Sequence, residues 1–117
     1  MKFTVSKKFS FEAAHALPHL PMGHKCRNLH GHSYVVEVHC SGPLDERGFV
    51  VDYAELSEAM NPLVAQLDHQ NLNEIMLVPT TAEYLGDWFF SRLEKKLPSL
   101  VRVDVYETAR TCVRVER

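Results

Sequence analysis

Residues 26–38 read Cys-Arg-Asn-Leu-His-Gly-His-Ser-Tyr-Val-Val-Glu-Val, a stretch that combines a strand pattern with a metal-ligand pattern. Its β-branched and aromatic residues predict a strand over roughly residues 30–41, ended by the following Gly-Pro pair. His30 and His32 are two positions apart, so their side chains project from one strand face, about 6–7 Å apart at the backbone. Two imidazoles at that spacing can share one ion at Zn–N distances of about 2.0–2.1 Å.

A third histidine, His15, stands upstream at or just beyond the end of another predicted strand. Three imidazole ligands leave one coordination position open, which is typical of catalytic zinc, whereas structural zinc sites usually fill all four positions. The pattern therefore predicts a catalytic metal site formed by His15, His30 and His32.

The free thiol of Cys26, four residues before His30, has two interpretations. It is either a base or nucleophile beside the metal, or a fourth zinc ligand. The first is favoured because the spacing does not match the paired-cysteine patterns of zinc fingers. The other histidines, His19, His24 and His39, are assigned to loops or the surface, and His39 lies on the strand face opposite to the histidine pair.

The bulk composition indicates an ordinary globular protein. The chain has 117 residues, 45% hydrophobic and 24% charged, which suits one domain over residues 1–117. The net charge of −2 argues against general nucleic-acid binding, which normally needs a basic surface. The first residues lack the apolar core of a signal peptide, and no stretch approaches a membrane span. Three cysteines form no disulfide framework, so we expect a reducing, cytoplasmic location.

Apolar alternation predicts four strands. The first runs from Phe3 to Phe11, with Lys7 as the one break in its pattern, and the second is the strand at 30–41. In the third strand, Glu107 stands at the next alternate position after the apolar residues, so a carboxylate falls on the apolar face. The alternating residues of the last two strands are Val101, Val103 and Val105, followed by Val113 and Val115.

Two helices are predicted between the second and third strands. The first begins after Asp52 and the second after Thr80, each with a glutamate three residues later that completes a possible capping box. Pro62 predicts a kink or break because it removes an amide hydrogen bond, and Pro98 ends the second helix. The order ββααββ predicts an α+β fold: a four-stranded antiparallel sheet with two helices on one face. Its exposed edges favour association with further subunits.

Two further places carry titratable side chains whose role the residues alone leave open. Asp68-His69 follows the first helix. It is either a helix end with a histidine placed favourably against the helix dipole, or a carboxylate orienting an imidazole that exchanges protons with Cys26 or substrate. Glu107 is equally open, since a carboxylate at a strand end often only faces water.

Five motifs together resemble the pyruvoyl-tetrahydropterin synthase family, in order and spacing, across essentially the whole chain. Three residues separate Cys26 from His30. In this spacing the chain resembles the 6-carboxytetrahydropterin synthase branch of the family, which belongs to the queuosine (7-deazaguanine) pathway. Biopterin-pathway pyruvoyl synthases typically have a longer gap. The motifs are Glu12-Ala13-Ala14-His15, Cys26-x-x-x-His30-Gly31-His32, Leu67-Asp68-His69-x-x-Leu72-Asn73, Pro79-Thr80-Thr81-Ala82-Glu83 and Glu107-Thr108.

This resemblance implies the tunnelling fold and a zinc-dependent lyase. The implied reaction converts 7,8-dihydroneopterin triphosphate into 6-carboxy-5,6,7,8-tetrahydropterin, acetaldehyde and triphosphate, without a redox cofactor. It implies a Zn²⁺ ion on the three histidines of each subunit and Cys26 as the proton acceptor. By the same resemblance, His69 is the relay partner, Asp68 orients it, and Glu107 anchors the pterin and is sometimes counted with the relay.

The resemblance also implies an assembly. The family commonly forms a hexamer of two stacked trimers, in which Asp68-His69 of one chain reaches the zinc and Cys26 of a neighbour. Lys25 and Arg27 flank the thiol and are candidates for contacting the triphosphate.

Three alternatives remain. A pyruvoyl-tetrahydropterin synthase would eliminate triphosphate without carbon–carbon cleavage. Another pterin enzyme on the same fold, such as an aldolase acting on dihydroneopterin, is the second. The third is a non-catalytic, zinc-stabilised interaction module, which would unfold on chelation.

Overall fold

The computed structural model describes residues 1–117, with five strands and two α-helices. Short 3-10 helices occupy Lys25–Arg27 and Leu72–Glu74. No helix of the protein is long and apolar enough to cross a membrane. The strands are β1 (Phe3–His15), β2 (His30–Gly42), β3 (Gln70–Asn71), β4 (Leu100–Thr108) and β5 (Thr111–Glu116), and the helices are α1 (Tyr53–Leu67) and α2 (Ala82–Leu93).

The strands form one sheet in the order β3-β1-β2-β4-β5. The four long strands pair antiparallel, which confirms the pattern predicted from alternation. The prediction of a four-stranded sheet is wrong by one strand, because β3 pairs in parallel with Ala13 and Ala14 of β1. A strand of two residues is too short to show alternation, so the sequence carries no signal for it.

The pairing of β1 with β2 is continuous and ends with His15 opposite His30. β1 ends at His15, which agrees with the prediction that this histidine stands at or just beyond the strand end. On the helix-facing side of the sheet, Phe11 stacks on Tyr34 with ring centroids 5.1 Å apart. Because side chains alternate between faces, His15 and His30 lie on this same side, at the end of an apolar face.

Both helices pack on this one face, α1 against β1 and α2 against β4 and β5. Their apolar stripes and the inner residues of the strands form one hydrophobic core. Burying each large apolar side chain contributes about 1.5–3 kcal/mol, which holds the two layers together. The fully buried side chains include Tyr34, Val36 and Val38 of β2, Leu56, Met60 and Leu67 of α1, and Leu85, Phe89 and Leu93 of α2.

Of the kink or break predicted for the first helix at Pro62, the break does not occur. α1 begins as expected, with the Asp52 carboxylate accepting the Ala54 N–H at 2.9 Å. It then continues through Pro62 without interruption. Pro62 and Glu58, whose carbonyl loses its helical partner, are both exposed. Water can therefore satisfy that carbonyl, and the helix tolerates the proline.

The second helix is capped by Thr81 and not by Thr80 as predicted. The Thr81 hydroxyl accepts the N–H of Tyr84 at 3.3 Å. Thr80 is buried and contacts His15 of β1 instead. Either threonine has the chemistry of a cap, so the choice depends on this tertiary contact. α2 ends at Leu93, earlier than the end predicted at Pro98.

Gly86 lets α2 lie close to the sheet, because a Cβ there would come within 2.6 Å of Val115 Cγ2. The overpacking cost of about 1–3 kcal/mol exceeds the gain in helix propensity of about 1 kcal/mol. We therefore expect Gly86→Ala to lower the free energy of unfolding by about 1 kcal/mol in urea denaturation. Gly42→Ala is the control, since its Cβ would meet no atom within 4 Å. An equal or higher stability of Gly86→Ala would contradict the close packing.

Candidate metal centre and active site

The three histidines predicted as metal ligands come together at the end of the helix-facing side of the sheet. Ring nitrogens of His15, His30 and His32 all lie within 4.8 Å of one another. The ring centroids are 4.6 Å apart for His15 and His30 and 4.9 Å apart for His30 and His32. β1 supplies one ring and β2 supplies two, so the strand register alone brings the cluster together.

Backbone carbonyls orient two of these rings. Nδ1 of His15 lies 2.7 Å from the carbonyl oxygen of Thr80, and Nδ1 of His30 lies 2.7 Å from that of Asn28. A ring nitrogen at this distance from a carbonyl carries the proton and donates it, which leaves the Nε2 lone pair for another partner. Metal-ligating histidines are commonly held in this way by their second nitrogen.

The Nε2 atom of His15 fits a metal ligand. It is buried and has no hydrogen-bond partner in the protein, and an unpaired polar atom in the interior is costly. Burial also lowers the pKa of His15 below its ordinary value, because it disfavours the charged imidazolium. The neutral form, which a metal ion requires, is therefore the favoured one. A bound cation would satisfy the unpaired nitrogen.

The carboxylate of Glu107 lies close to the Nε2 atoms of two of the three histidines. Its Oε2 lies 3.4 Å from Nε2 of His15 and 3.3 Å from Nε2 of His32. Glu107 continues the inward parity of Val103 and Val105 on β4, as the alternation predicted. Its carboxylate places a negative charge beside the imidazole nitrogens, which favours a divalent cation at this position.

Cys26 lines a cavity together with Glu107 and the three histidines. It lies on the 3-10 helix Lys25–Arg27 and is half-buried. The cavity has a volume of about 490 Å³, within the usual range for small-molecule sites. A thiol, a carboxylate and a three-histidine cluster therefore share one cavity, which suits proton transfer next to a metal ion. Its lining comprises His15, Leu17, Lys25, Cys26, His30, His32, Glu107, Thr108 and Thr111.

The two basic residues beside the thiol differ in their surroundings. Lys25 is exposed and lines the cavity. Arg27 donates through Nη1 to the carbonyl oxygens of Pro18 and Leu20, the latter at 2.6 Å. Its guanidinium is therefore partly engaged in holding the loop between β1 and β2.

His69 lies in a different cavity from Cys26. It lines a space of about 650 Å³ with Glu12, His32, Ser33 and Asn71, and His32 also lines the cavity of Cys26. The His69 side chain is 78% exposed, and its Nδ1 is 3.0 Å from Asp68 Oδ1. Within one chain the structure therefore pairs Asp68 with His69, as predicted, but does not bring either to Cys26.

Two hydrogen bonds attach this pair to the open edge of β1. The Asp68 carboxylate accepts the Glu12 N–H at 2.9 Å, and the His69 N–H donates to the Glu12 carbonyl at 2.6 Å. His69 adopts a left-handed backbone conformation with φ of 60°, which costs energy in a residue other than glycine. The neighbouring β1 contacts hold that conformation.

A second cluster of polar side chains lies on the sheet face away from the helices. Ligand atoms of Glu37, His39 and Asp104 lie within 4.8 Å of one another. Arg102 donates to both Asp104 oxygens, at 2.8 and 2.7 Å, and His39 Nε2 lies 3.1 Å from Asp104. The buried carboxylate is thus already neutralised by Arg102. His39, assigned to the surface from sequence, takes part in this network instead.

Sequence reasoning missed two residues that support the metal centre, Thr80 and Asn28. Both act through backbone carbonyls, which carry no residue signature. For Thr80, a weak signal existed: two threonines stand at one helix start, and only one can cap it.

The fold and the site define a tunnelling-fold protein with a three-histidine cluster that could hold a metal ion. The family profile described as 6-pyruvoyl tetrahydropterin synthase matches residues 4–117. The chain belongs to the 6-pyruvoyl tetrahydropterin synthase family, whose members are pterin-processing enzymes.

Individual relatives agree with this membership. The chain is 40% identical to the 6-carboxy-5,6,7,8-tetrahydropterin synthase of Synechocystis sp. over 94% of this chain and 90% of that protein. It is 37% identical to the dihydroneopterin monophosphate aldolase of Pyrococcus furiosus, covering 88% of this chain and 85% of that protein. Among solved structures, the 6-pyruvoyl tetrahydropterin synthase of Caenorhabditis elegans superposes with a TM-score of 0.89 at 27% identity, covering 100% and 96% of the two chains.

The attachment of Asp68 to β1 predicts a pH dependence. Accepting the Glu12 N–H lowers the pKa of the Asp68 carboxyl below its usual value. A depressed carboxyl pKa contributes stability above the unfolded-state pKa of about 3.9, and this contribution is lost as the pH falls through the folded-state value. We expect wild type to be more stable than Asp68→Asn at about pH 6, and the difference to shrink below about pH 4.

Urea denaturation at several pH values measures this difference. Asp87→Asn is the control, because Asp87 is exposed on α2 and makes no side-chain hydrogen bond or ion pair in the structure. A stability difference for Asp68→Asn that is the same at both pH values would contradict the role of the ionised carboxylate.

Proposed function

We propose that the protein is a zinc-dependent 6-carboxytetrahydropterin synthase. It converts 7,8-dihydroneopterin triphosphate and one water molecule to 6-carboxy-5,6,7,8-tetrahydropterin, acetaldehyde and triphosphate, in cytoplasmic queuosine biosynthesis. Residues 1–117 form one catalytic domain in this proposal. The observation that carries the proposal is the shared cavity of Cys26 and the three-histidine cluster. The 40% identity to a relative of that name supports the choice of reaction.

Zinc is the metal that this ligand set suits best. Imidazole nitrogens are good ligands for zinc, and three of them with one open position are typical of its catalytic sites. His15, His30 and His32 would hold the ion through nitrogens that the carbonyls of Thr80 and Asn28 leave free on two of the rings. When bound, zinc supplies Lewis-acid polarisation of a substrate oxygen.

Cys26 is the proposed base. Its thiolate removes a proton from a side-chain carbon of the substrate, because the thiolate is the reactive form of cysteine. Glu107 would accept N–H groups of the amino-pyrimidine edge, since a carboxylate offers two acceptor oxygens. Of the basic residues, Lys25 is free to meet the triphosphate, while Arg27 would contribute only the part of its guanidinium not bonded to the loop.

The relay partner of Cys26 comes from a neighbouring chain in this proposal. His69 and Cys26 line different cavities of one chain, which supports a site completed by assembly. β1 is unpaired on its outer side before Ala13, and β5 forms the other edge of the sheet. Such open edges favour pairing with further copies. We propose a homohexamer of two stacked trimers, in which Asp68 orients His69 toward the cavity of a neighbour.

Incubation with 7,8-dihydroneopterin triphosphate tests the reaction. We expect stoichiometric acetaldehyde and 6-carboxytetrahydropterin, detected by derivatisation and mass spectrometry. A pyruvoyl product without acetaldehyde would instead support the synthase that eliminates triphosphate without cleaving a carbon–carbon bond. Because one relative is named a dihydroneopterin monophosphate aldolase, the monophosphate is tested in parallel. Preferential turnover of the monophosphate would favour that activity.

Metal content separates the proposed roles of the ligands and the thiol. We expect about one zinc per chain by elemental analysis, and its loss together with activity in His15→Ala, because a site with two ligands binds zinc poorly. Cys26→Ala should keep its zinc and lose activity. Zinc loss in Cys26→Ala would support a closed site with cysteine as fourth ligand. Unfolding of the protein on chelation, seen by circular dichroism, would support the structural module.

Complementation between subunits tests the shared site. Cys26→Ala and His69→Ala homomers should both be inactive. Mixed oligomers formed by co-expression contain some sites with both residues intact, so a fraction of the activity should return. Tandem affinity purification with two tags verifies that both chains are present. Co-assembled mixtures that stay as inactive as the parents would show that Cys26 and His69 serve one chain's site.

A further inference from the structure

The loop between β1 and β2 contains a histidine that the proposed reaction does not use. His24 stands two residues before Cys26, and its Nδ1 lies 3.1 Å from the backbone nitrogen of Cys26. The Cys26 N–H donates to Nδ1, so this nitrogen is unprotonated and the neutral ring carries its proton on Nε2. His24 thereby caps the 3-10 helix Lys25–Arg27, on which the thiol is placed.

The chain builds the same local contact elsewhere with the usual capping residues. Side-chain oxygens of Asp45, Asp52 and Asn71 each accept the N–H two residues later, at 2.9, 2.9 and 3.0 Å. Aspartate and asparagine are favoured for this turn because their short side chains reach that N–H. The ring Nδ1 of His24 takes the place of that oxygen. An asparagine at this position could therefore make the same bond.

Other bonds restrain the remaining sides of Cys26. Its carbonyl accepts the N–H of Leu17 at 2.8 Å, and Arg27 anchors to the carbonyl of Leu20. Apart from the short 3-10 helix, the segment between β1 and β2 has no regular secondary structure. Two backbone bonds close the 3-10 helix, from Arg27 N–H to the His24 carbonyl and from Asn28 N–H to the Lys25 carbonyl, both at 3.1 Å. The His24 ring makes the one side-chain hydrogen bond to the backbone of Cys26.

We propose that His24 is a positioning residue for Cys26. By accepting a hydrogen bond from the Cys26 N–H, His24 fixes the position of the backbone from which the thiol extends into the cavity. The inference rests on the proposed function, in which Cys26 removes the substrate proton. His24 does not line the cavity and so acts through Cys26. A base must lie within hydrogen-bond reach of its proton, so a small displacement lowers kcat more than it changes substrate binding.

The kinetic test compares His24→Ala, His24→Asn and His19→Ala. We expect His24→Ala to lower kcat about tenfold, the size of effect that loss of one capping bond allows, with KM changed less than about twofold and zinc content unchanged. His24→Asn should restore kcat to within about twofold of wild type, because its side-chain oxygen can replace Nδ1. His19→Ala, in the same loop, should have no effect, since His19 is exposed and makes no side-chain hydrogen bond.

Hydrogen–deuterium exchange reports on the same contact without turnover. Peptides covering residues 17–29 should exchange faster in His24→Ala than in wild type and His24→Asn. Unchanged exchange and kcat in His24→Ala would overturn the inference, and so would an equal loss in the alanine and asparagine variants. If wild type does not turn over the pterin substrate but exchange follows the expected order, the proposed function fails while the placement of Cys26 by His24 holds.

Discussion

The antiparallel register of β1 and β2 places His15 opposite His30, and the three-histidine cluster depends on it. Side chains alternate between the two faces of a strand, so a slip of one residue would move His15 to the other side of the sheet. The apolar residues of the same strands prevent that slip. Phe11 and Tyr34 stack in the core, and a shifted register would expose one of them to solvent. Core packing thereby sets the geometry of the ligands.

The three-histidine cluster continues the hydrophobic core at one end of the sheet. His15 is as fully buried as the apolar residues next to it. This burial disfavours the imidazolium and leaves Nε2 without a partner in the protein. Thr80, fully enclosed at the start of α2, turns the ring through its carbonyl. The segment at the start of α2 therefore both covers the core and orients the His15 ring, so stability and the geometry of the candidate metal site depend on the same contacts.

One chain presents two cavities whose side chains have complementary chemistry. Cys26 and the three histidines line one, and His69, which is paired with Asp68, lines the other together with His32. The pair is attached to the edge of β1 through the backbone of Glu12, in a strained conformation that these bonds maintain. An exposed imidazole paired with Asp68 at the sheet edge suits a group that acts on a neighbouring subunit, which is the arrangement of the proposed assembly.

The sequence by itself determined the four long strands, both helices, the histidine ligand pattern and the family, because alternation, helical periodicity and motif spacing are local properties of the chain. Only the tertiary structure decided the rest. The capping role passed to Thr81 because Thr80 bonds to His15, 65 residues away. β3 follows the Asp68–His69 pair, whose hydrogen bonds to Glu12 hold this segment against β1. α1 continues through Pro62 because the Glu58 carbonyl, which lacks a helical partner, is on an exposed turn that water can reach. Such contacts join distant segments, and no local pattern records them.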